Sequence, residues 1–424
     1  MKTSELIGAL KDGALSRYET IYADPAAQAG RMCRTVEAFE RTFGAGREVG
    51  LFSVPGRTEI IGNHTDHNHG RVIAAAIDRD VIAVASPSDE PRVRFFSEGY
   101  PMADIPLARV DDPAAFEKYS SASLIAGMCA AFASHGHKVG GFDAYSVTEV
   151  LKGSGISSSA AYEVMIGNIL NHLYNDGKIP PEEIAKYAQY AENVYFGKPC
   201  GLMDQTACAV GGFVFIDFAD PSDPVIEPIS FSLSDAGYEL CIVNTGGNHA
   251  DLNEDYASVP AEMRRVAELC GRDCLRGLSE DELASRIPAL RGQVGDRAIL
   301  RALHFVREDN RVAAARDDLK SGNVPDFLSR INLSGRSSFM YLQNVYTVKN
   351  VAEQGLSLAL AVTDGALAGR GCAFRVHGGG FAGTIQVFLR RDLVADYCKK
   401  IDAIFGEGAA MRLRVRPLGA VKLF

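Results

Sequence analysis

The chain has 424 residues, 47% hydrophobic and 23% charged, the balance of a soluble globular protein with enough material for two domains. Its 44 Lys and Arg face 53 Asp and Glu, and the net charge of −9, with no basic run, argues against nucleic acid as the main partner. The polar start Met1 to Asp12 does not read as a signal peptide, no apolar run reaches the roughly 20 residues needed to span a bilayer, and nine scattered cysteines suit reduced thiols in a cytoplasm.

In chain order, the apolar run Val49 to Val54 predicts a strand over Gly50 to Val54 that ends at Pro55-Gly56. Polar groups then crowd together: Arg57, Asn63, His64, Asp66 and His67. Buried without partners they would cost a few kcal/mol each, so the segment reads as a loop that holds a polyhydroxylated ligand. His64, His67 and His69 raise the alternative of a transition-metal site, but they surround Asp66 in a loop and lack the i, i+4 spacing of helical ligands. Strands follow at Val72 to Ala85, Arg92 to Phe96 and Phe142 to Val150, with a helix at Ser120 to Ser134.

The strand from Phe142 runs into Leu151-Lys152-Gly153-Ser154-Gly155-Ile156-Ser157-Ser158-Ser159-Ala160-Ala161, and Tyr162, Met165, Ile166, Ile169 and Leu173 then keep helical spacing. A strand, a Gly/Ser loop and a helix start suit a polyanion, because outward N–H groups and the helix dipole both favour negative charge. The plainer alternative is a serine-rich helix cap. Neither G-x4-G-K-[ST] nor a G-x-S-x-G elbow is present here.

Next, Ile184, Ala188, Ala191 and Tyr195 share a helical face, and Gly197 with Pro199 ends that helix. Glu192 therefore falls in its last turn, where a carboxylate is disfavoured unless a cation compensates, and Asp204 falls near the start of a second short helix. A surface glutamate is the competing reading. Strands are expected at Gly212 to Phe218 and Tyr238 to Val243, then helices at Val259 to Cys270, Asp281 to Arg286, Arg297 to Arg316 and Leu342 to Val362. Near the end, Arg375-Val376-His377-Gly378-Gly379-Gly380-Phe381-Ala382-Gly383 separates the strands Cys372 to Val376 and Thr384 to Leu389. Its G-x-G-x-x-G is followed by a strand, which removes the dinucleotide reading, and the 44 residues after Gly380 contain no serine elbow for an oxyanion-loop reading. A helix at Leu393 to Phe405 and a strand at Arg412 to Val415 complete an α+β order.

Three of these segments, in this order, resemble those of the galactokinases, in the GHMP family of small-molecule kinases. They are the Pro55 to Asn68 signature, the phosphate loop, and Ala191-Glu192 through Gly197-Lys198-Pro199-Cys200-Gly201-Leu202-Met203-Asp204-Gln205. The resemblance spans essentially the whole chain. It implies a two-domain α+β fold with the active site in the cleft between domains. Residues 1–220 would carry the sugar signature, phosphate loop and catalytic Asp, and residues 221–424 the later helices and a ferredoxin-like sheet with the glycine loop. It implies ATP-dependent phosphorylation of the galactose C1 hydroxyl by a cytoplasmic monomer. Asp204 would act on that hydroxyl with Arg57 as partner; Asn63, His64, Asp66, Tyr256 and Gly379 would meet the sugar. Gly153, Ser154, Gly155, Ile156, Ser157, Ser158, Ser159 and Ala160 would cradle ATP, and Ser159 with Glu192 would ligate Mg²⁺. Leu151, His377 and Ala382 replace the usual Pro, Thr and Gly. Asn63 replaces the usual Glu, which removes a negative charge and keeps a uronic-acid 1-kinase open beside galactose. A non-catalytic sugar and ATP sensor is the third reading.

Overall fold

The computed structural model describes residues 1–150, 155–247 and 252–424. They form two compact units that are not contiguous in the chain: residues 1–57, 76–212 and 416–424, and residues 58–75 and 213–415. The sequence suggested one boundary near residue 220; the compact units change over at 212/213 and also exchange residues 58–75 and 416–424. Among the described residues no helix is long and apolar enough to cross a membrane.

The first unit is built on strands in the order Val421–Lys422, Gly50–Ile61 (as far as residue 57), Arg71–Pro87 (from residue 76), Phe142–Thr148, Arg92–Ser97, Ala103–Pro106. Val84 faces Tyr145 in an antiparallel pair, and Phe95 faces Ala144 in a parallel one. One face is covered by the helix Pro25–Phe43, whose Met32, Val36 and Phe39 pack with Leu51, Ile82 and Val84. Pro25 at the first helical position and the Asp24 carboxylate accepting the Ala27 N–H fix where that helix begins. The helices Ser121–Ser134, Ser158–Tyr174 and Pro181–Tyr190 are mutually packed, and Met203–Val210 packs on the latter two. The chain end is anchored by charge: Arg416, itself buried, reaches Ser53 at 2.7 Å and Asp80 at 3.3 Å, and Asp80 also takes Arg31 at 2.6 Å.

In the second unit an antiparallel sheet runs Ala410–Leu413, Tyr238–Asn244, Thr384–Arg390, Ala373–His377, with Ile385 opposite both Val243 and Val376. Helices Gly355–Leu367 and Val394–Phe405 bury Leu356, Ala359, Tyr397 and Ile401 with Val243, Val376 and Val387 of the sheet. A second core joins Val259, Met263 and Val266 of helix Asn253–Leu269 to Ala302 and Phe305 of Glu280–Ser321, a helix broken at Gly295. Helix Val324–Ser337 follows and closes in a π-turn, Ser338–Leu342.

Two expectations need correction. The strand that was to end at Val54 continues to Ile61, because Ile60 and Ile61 are completely buried and the Arg57 N–H finds the Ile156 carbonyl at 3.1 Å. The loop begins only at Gly62, where φ is 110° and a Cβ would stand 2.7 Å from the Arg71 carbonyl oxygen. Nor is Leu342 to Val362 a helix: Gln343 turns left-handed at φ 58°, and helix resumes at Gly355. The apolar spacing of Leu342, Val345, Leu356 and Ala359 comes instead from a turn and a helix that each bury their own side chains.

Candidate active site

The residues expected from the sequence to meet ATP and Mg²⁺ all belong to the first unit. Gly153 and Ser154 lie outside the described residues. From Gly155 onward, Gly155 is exposed, Ile156 is buried, and the helix begins at Ser158, with Ser158 and Ser159 half-buried and Ala160 buried. Ser157 does not cap that helix. Its backbone is left-handed (φ 59°) and its hydroxyl donates to the Asp204 carboxylate.

Asp204 sits in the first turn of Met203–Val210. Arg57 grips it in a two-pronged fork: Nε donates to Oδ1 and Nη2 to Oδ2, both at 2.7 Å, while Nη1 donates to the Gly155 carbonyl at 2.6 Å. Burial alone would raise the Asp204 pKa. The charge and hydrogen bonds of Arg57, with the Ser157 hydroxyl, outweigh it and hold the carboxyl below its usual range. Arg57 therefore links the strand, the segment before the helix Ser158–Tyr174 and the carboxylate, and leaves Asp204 an ionised acceptor.

Glu192 lies on a π-turn, Ala191–Phe196, and is buried. Ser159 Oγ donates to its Oε1 at 3.2 Å, Lys198 Nζ reaches the same oxygen at 3.1 Å, and Gln205 Nε2 donates to Oε2 at 2.9 Å. Gln205 also reaches Glu163, whose carboxyl is pushed up by burial and by the nearby Glu192 charge. Among the described residues no three His, Cys, Asp or Glu side chains gather around a common point. One carboxylate and one hydroxyl do fit Mg²⁺, a hard cation that keeps several waters and takes substrate phosphates as further ligands.

Beside Ser158 and Ser159 opens a cavity of about 270 Å³, walled by Tyr100, Tyr119, Tyr162 and Phe196 with Ser97 and Ser146. Aromatic walls with a few hydroxyls suit a flat heteroaromatic ring. Larger hollows near Pro25 (about 740 Å³) and near Asn332 (about 670 Å³) contain none of the convergent groups described above, so the chemistry decides against volume here.

The residues expected from the sequence to meet the sugar belong to the second unit. His64, at φ 57°, bonds through Nε2 to the Gly379 carbonyl at 2.9 Å and is half-buried. Gly379 is exposed, Asp66 starts the short turn Asp66–Asn68 and is half-buried, and the Tyr256 hydroxyl donates to the Gly380 carbonyl at 3.0 Å. Burial pushes the Tyr256 hydroxyl up to about 12. His67, desolvated and beside His64, falls to about 3 and is neutral.

Asn63 departs from the expectation of a sugar contact, for it is only 1% exposed. Its Nδ2 donates to Glu59 Oε1 (3.1 Å) and the Gly378 carbonyl (2.7 Å), and its Oδ1 accepts from Asn344 (2.8 Å) and Ser338 (3.3 Å). Every hydrogen-bonding position of the side chain is filled, so in this conformation none is left for a ligand. Behind it, buried Arg375 pairs with Glu59 at 2.8 Å, and His304 Nε2 donates to the Asn63 carbonyl at 2.8 Å.

Sequence reasoning missed Ser157 as a partner of Asp204, the pair Lys198 and Gln205 on Glu192, the aromatic cavity, and Asn344. Lys198 and Gln205 stood within the recognised segment and could have been weighed; Asn344 has no local signal.

The galactokinase galactose-binding signature matches residues 37–87 and the GHMP kinases N terminal domain matches residues 122–212. A galactokinase of Streptomyces coelicolor is 31% identical over 89% of this chain and 94% of its own length. A galactokinase of Lactococcus lactis subsp. lactis is 27% identical over 88% and 90%. The crystal structure of Lactococcus lactis galactokinase complexed with galactose covers 93% of this chain and 100% of its own at TM-score 0.78 and 25% identity. Methanococcus jannaschii mevalonate kinase, 14% identical, shares the fold at TM-score 0.60, covering 87% of this chain and 98% of its own. With that likeness over nearly its full length and two signatures that include Arg57, Ser157, Glu192 and Asp204, the chain belongs to the galactokinase family, with the two-domain α+β fold of the GHMP kinases.

Proposed function

We propose that this chain transfers the γ-phosphoryl group of ATP to the C1 hydroxyl of galactose, giving galactose 1-phosphate and ADP. The observation that carries the reading is Asp204, held ionised by Arg57 and Ser157 directly at the phosphate loop. Phosphoryl transfer asks the protein mainly for positioning and charge, and this cluster supplies both. Asp204 accepts the C1 hydroxyl proton as that oxygen bonds to the γ-phosphorus and the bond to the β-phosphate oxygen breaks. Arg57 keeps the carboxylate oriented and ionised beforehand.

Gly155, Ile156, Ser157, Ser158, Ser159 and Ala160, with Gly153 and Ser154 next to them in the sequence, cradle the phosphates, and the aromatic cavity takes the base. Ser159 and Glu192 would hold Mg²⁺, which when bound offsets charge on the phosphate oxygens. His64, Asp66, Tyr256 and Gly379 carry the sugar side, with Asn63 behind them. Glu192→Gln or Ser159→Ala should raise the KM for Mg²⁺-ATP about tenfold or more while galactose affinity, measured by calorimetry, stays within about twofold. Collapse of galactose affinity with ATP binding intact would mean that the two sides are exchanged.

The function is tested by ADP release over galactose, galacturonate, glucuronate, arabinose and N-acetylgalactosamine. Galactose should give the highest kcat/KM. A preference for galacturonate would replace galactose as substrate, and no release with any sugar would remove the kinase reading.

A further inference from the structure

We propose that Asn344 is a positioning residue of the sugar side, fixing the loop Gly378–Gly380 both directly and through Asn63. The inference rests on the galactose reading above and names a residue through which that site is shaped.

Three successive carbonyls of the loop are captured by side chains. Asn63 Nδ2 takes Gly378 O at 2.7 Å, Asn344 Nδ2 takes Gly379 O at 3.1 Å together with His64 Nε2 at 2.9 Å, and Tyr256 takes Gly380 O at 3.0 Å. A glycine loop without such ties would be the most pliable part of the site. Asn344 stands at the centre of this arrangement. Its Nδ2 also donates to Asn63 Oδ1 at 2.8 Å, and its main-chain carbonyl accepts the Phe381 N–H at 2.5 Å. That same carbonyl oxygen would lie 2.1 Å from a Cβ on Gly380, whose φ is 81°, so the loop rests on Asn344 at a distance only glycine permits.

The orientation of the Asn344 amide is forced. Its nitrogen faces two oxygens, Asn63 Oδ1 and Gly379 O, and a flipped amide would set oxygen against both. Its own Oδ1 is buried with no partner among the described residues, so the side chain acts here as a double donor. Local backbone supports the same reading. A π-turn, Ser338–Leu342, and a left-handed Gln343 at φ 58° carry the chain out of helix immediately before Asn344. Asn344 touches no reacting atom; it acts through Gly379 and through Asn63.

The test is Asn344→Asp, which keeps the shape but removes both donors and sets a carboxylate oxygen against two acceptors. In the full-length enzyme the KM for galactose should rise at least tenfold, while kcat and the KM for ATP stay within about threefold. Amide hydrogen exchange in peptides covering residues 377–383 should quicken, with the rest of the chain unchanged. Asn63→Asp should raise the same KM, and the double variant should lose less than the product of the two fold-changes, since both act on one clamp. Should Asn344→Asp fail to fold, Asn344→Ser, shorter and with a single donor, makes the same comparison. A folded variant with wild-type galactose KM and wild-type exchange in 377–383 overturns the proposal. If the wild type itself does not phosphorylate galactose, the functional reading fails, whereas the exchange comparison still decides the clamp.

Discussion

Asp204→Asn is expected to lower kcat by on the order of 100-fold or more, about 2.7 kcal/mol of transition-state stabilisation, with ATP affinity little changed. The amide keeps the shape of the carboxylate but cannot take up the proton of the C1 hydroxyl, and it presents only one oxygen to the Arg57 fork. Because Arg57 and Ser157 depress the Asp204 pKa, the group stays ionised until the pH falls below the ordinary carboxylate range, about 3.9 for Asp. The acid limb of kcat/KM that belongs to Asp204 should therefore appear below that value, and Arg57→Lys, which cannot reproduce the fork, should move it upward. Turnover near wild type in Asp204→Asn would remove the residue from its role.

Arg375→Leu should produce the largest loss of stability. The guanidinium is fully buried, pairs with Glu59 at 2.8 Å and donates to the Ile60 carbonyl at 2.9 Å. Removing it leaves a carboxylate in the interior without its cation, a change that costs about 3–5 kcal/mol. For a unit of this size that corresponds to a fall in Tm of roughly 6–20 °C. Glu59 also accepts from Asn63, so galactose affinity should weaken with it while ATP affinity holds. The double variant Glu59→Gln with Arg375→Leu should recover part of the lost stability, since no uncompensated charge then remains. A Tm within 2 °C of wild type in the single variant would show that the pair does not carry the stability assigned to it.

The cluster around Asp204 and Glu192 was legible in the sequence because it is local. Strand, Gly/Ser loop and helix follow one another directly, and Glu192, Lys198, Asp204 and Gln205 lie within fourteen positions of chain. The sugar side was legible only in part. Asn63 meets Asn344 across 281 residues and Glu59 meets Arg375 across 316, and no periodicity encodes those meetings. Asn63 looked like a sugar contact because it sits inside a polar run. In the fold its neighbours His64 and Asp66 stay partly accessible while Asn63 turns into a network that uses all its donors and acceptors. The missed helix Pro25–Phe43 opens with small, weakly patterned residues, and its apolar stripe becomes clear only from Met32 onward. The error at Leu342 to Val362 arose because a π-turn and a later helix together mimic one helical period.

The central claim is that the transferred phosphoryl group ends on C1 of galactose. The most direct test is phosphorus–proton correlation NMR of the product formed from ATP and galactose by the wild-type enzyme. The expected result is a phosphorus signal coupled to the anomeric proton, formed in step with ADP and absent with Asp204→Asn. A phosphorus coupled to the C6 protons, or ADP formed without any sugar phosphate, would contradict the account.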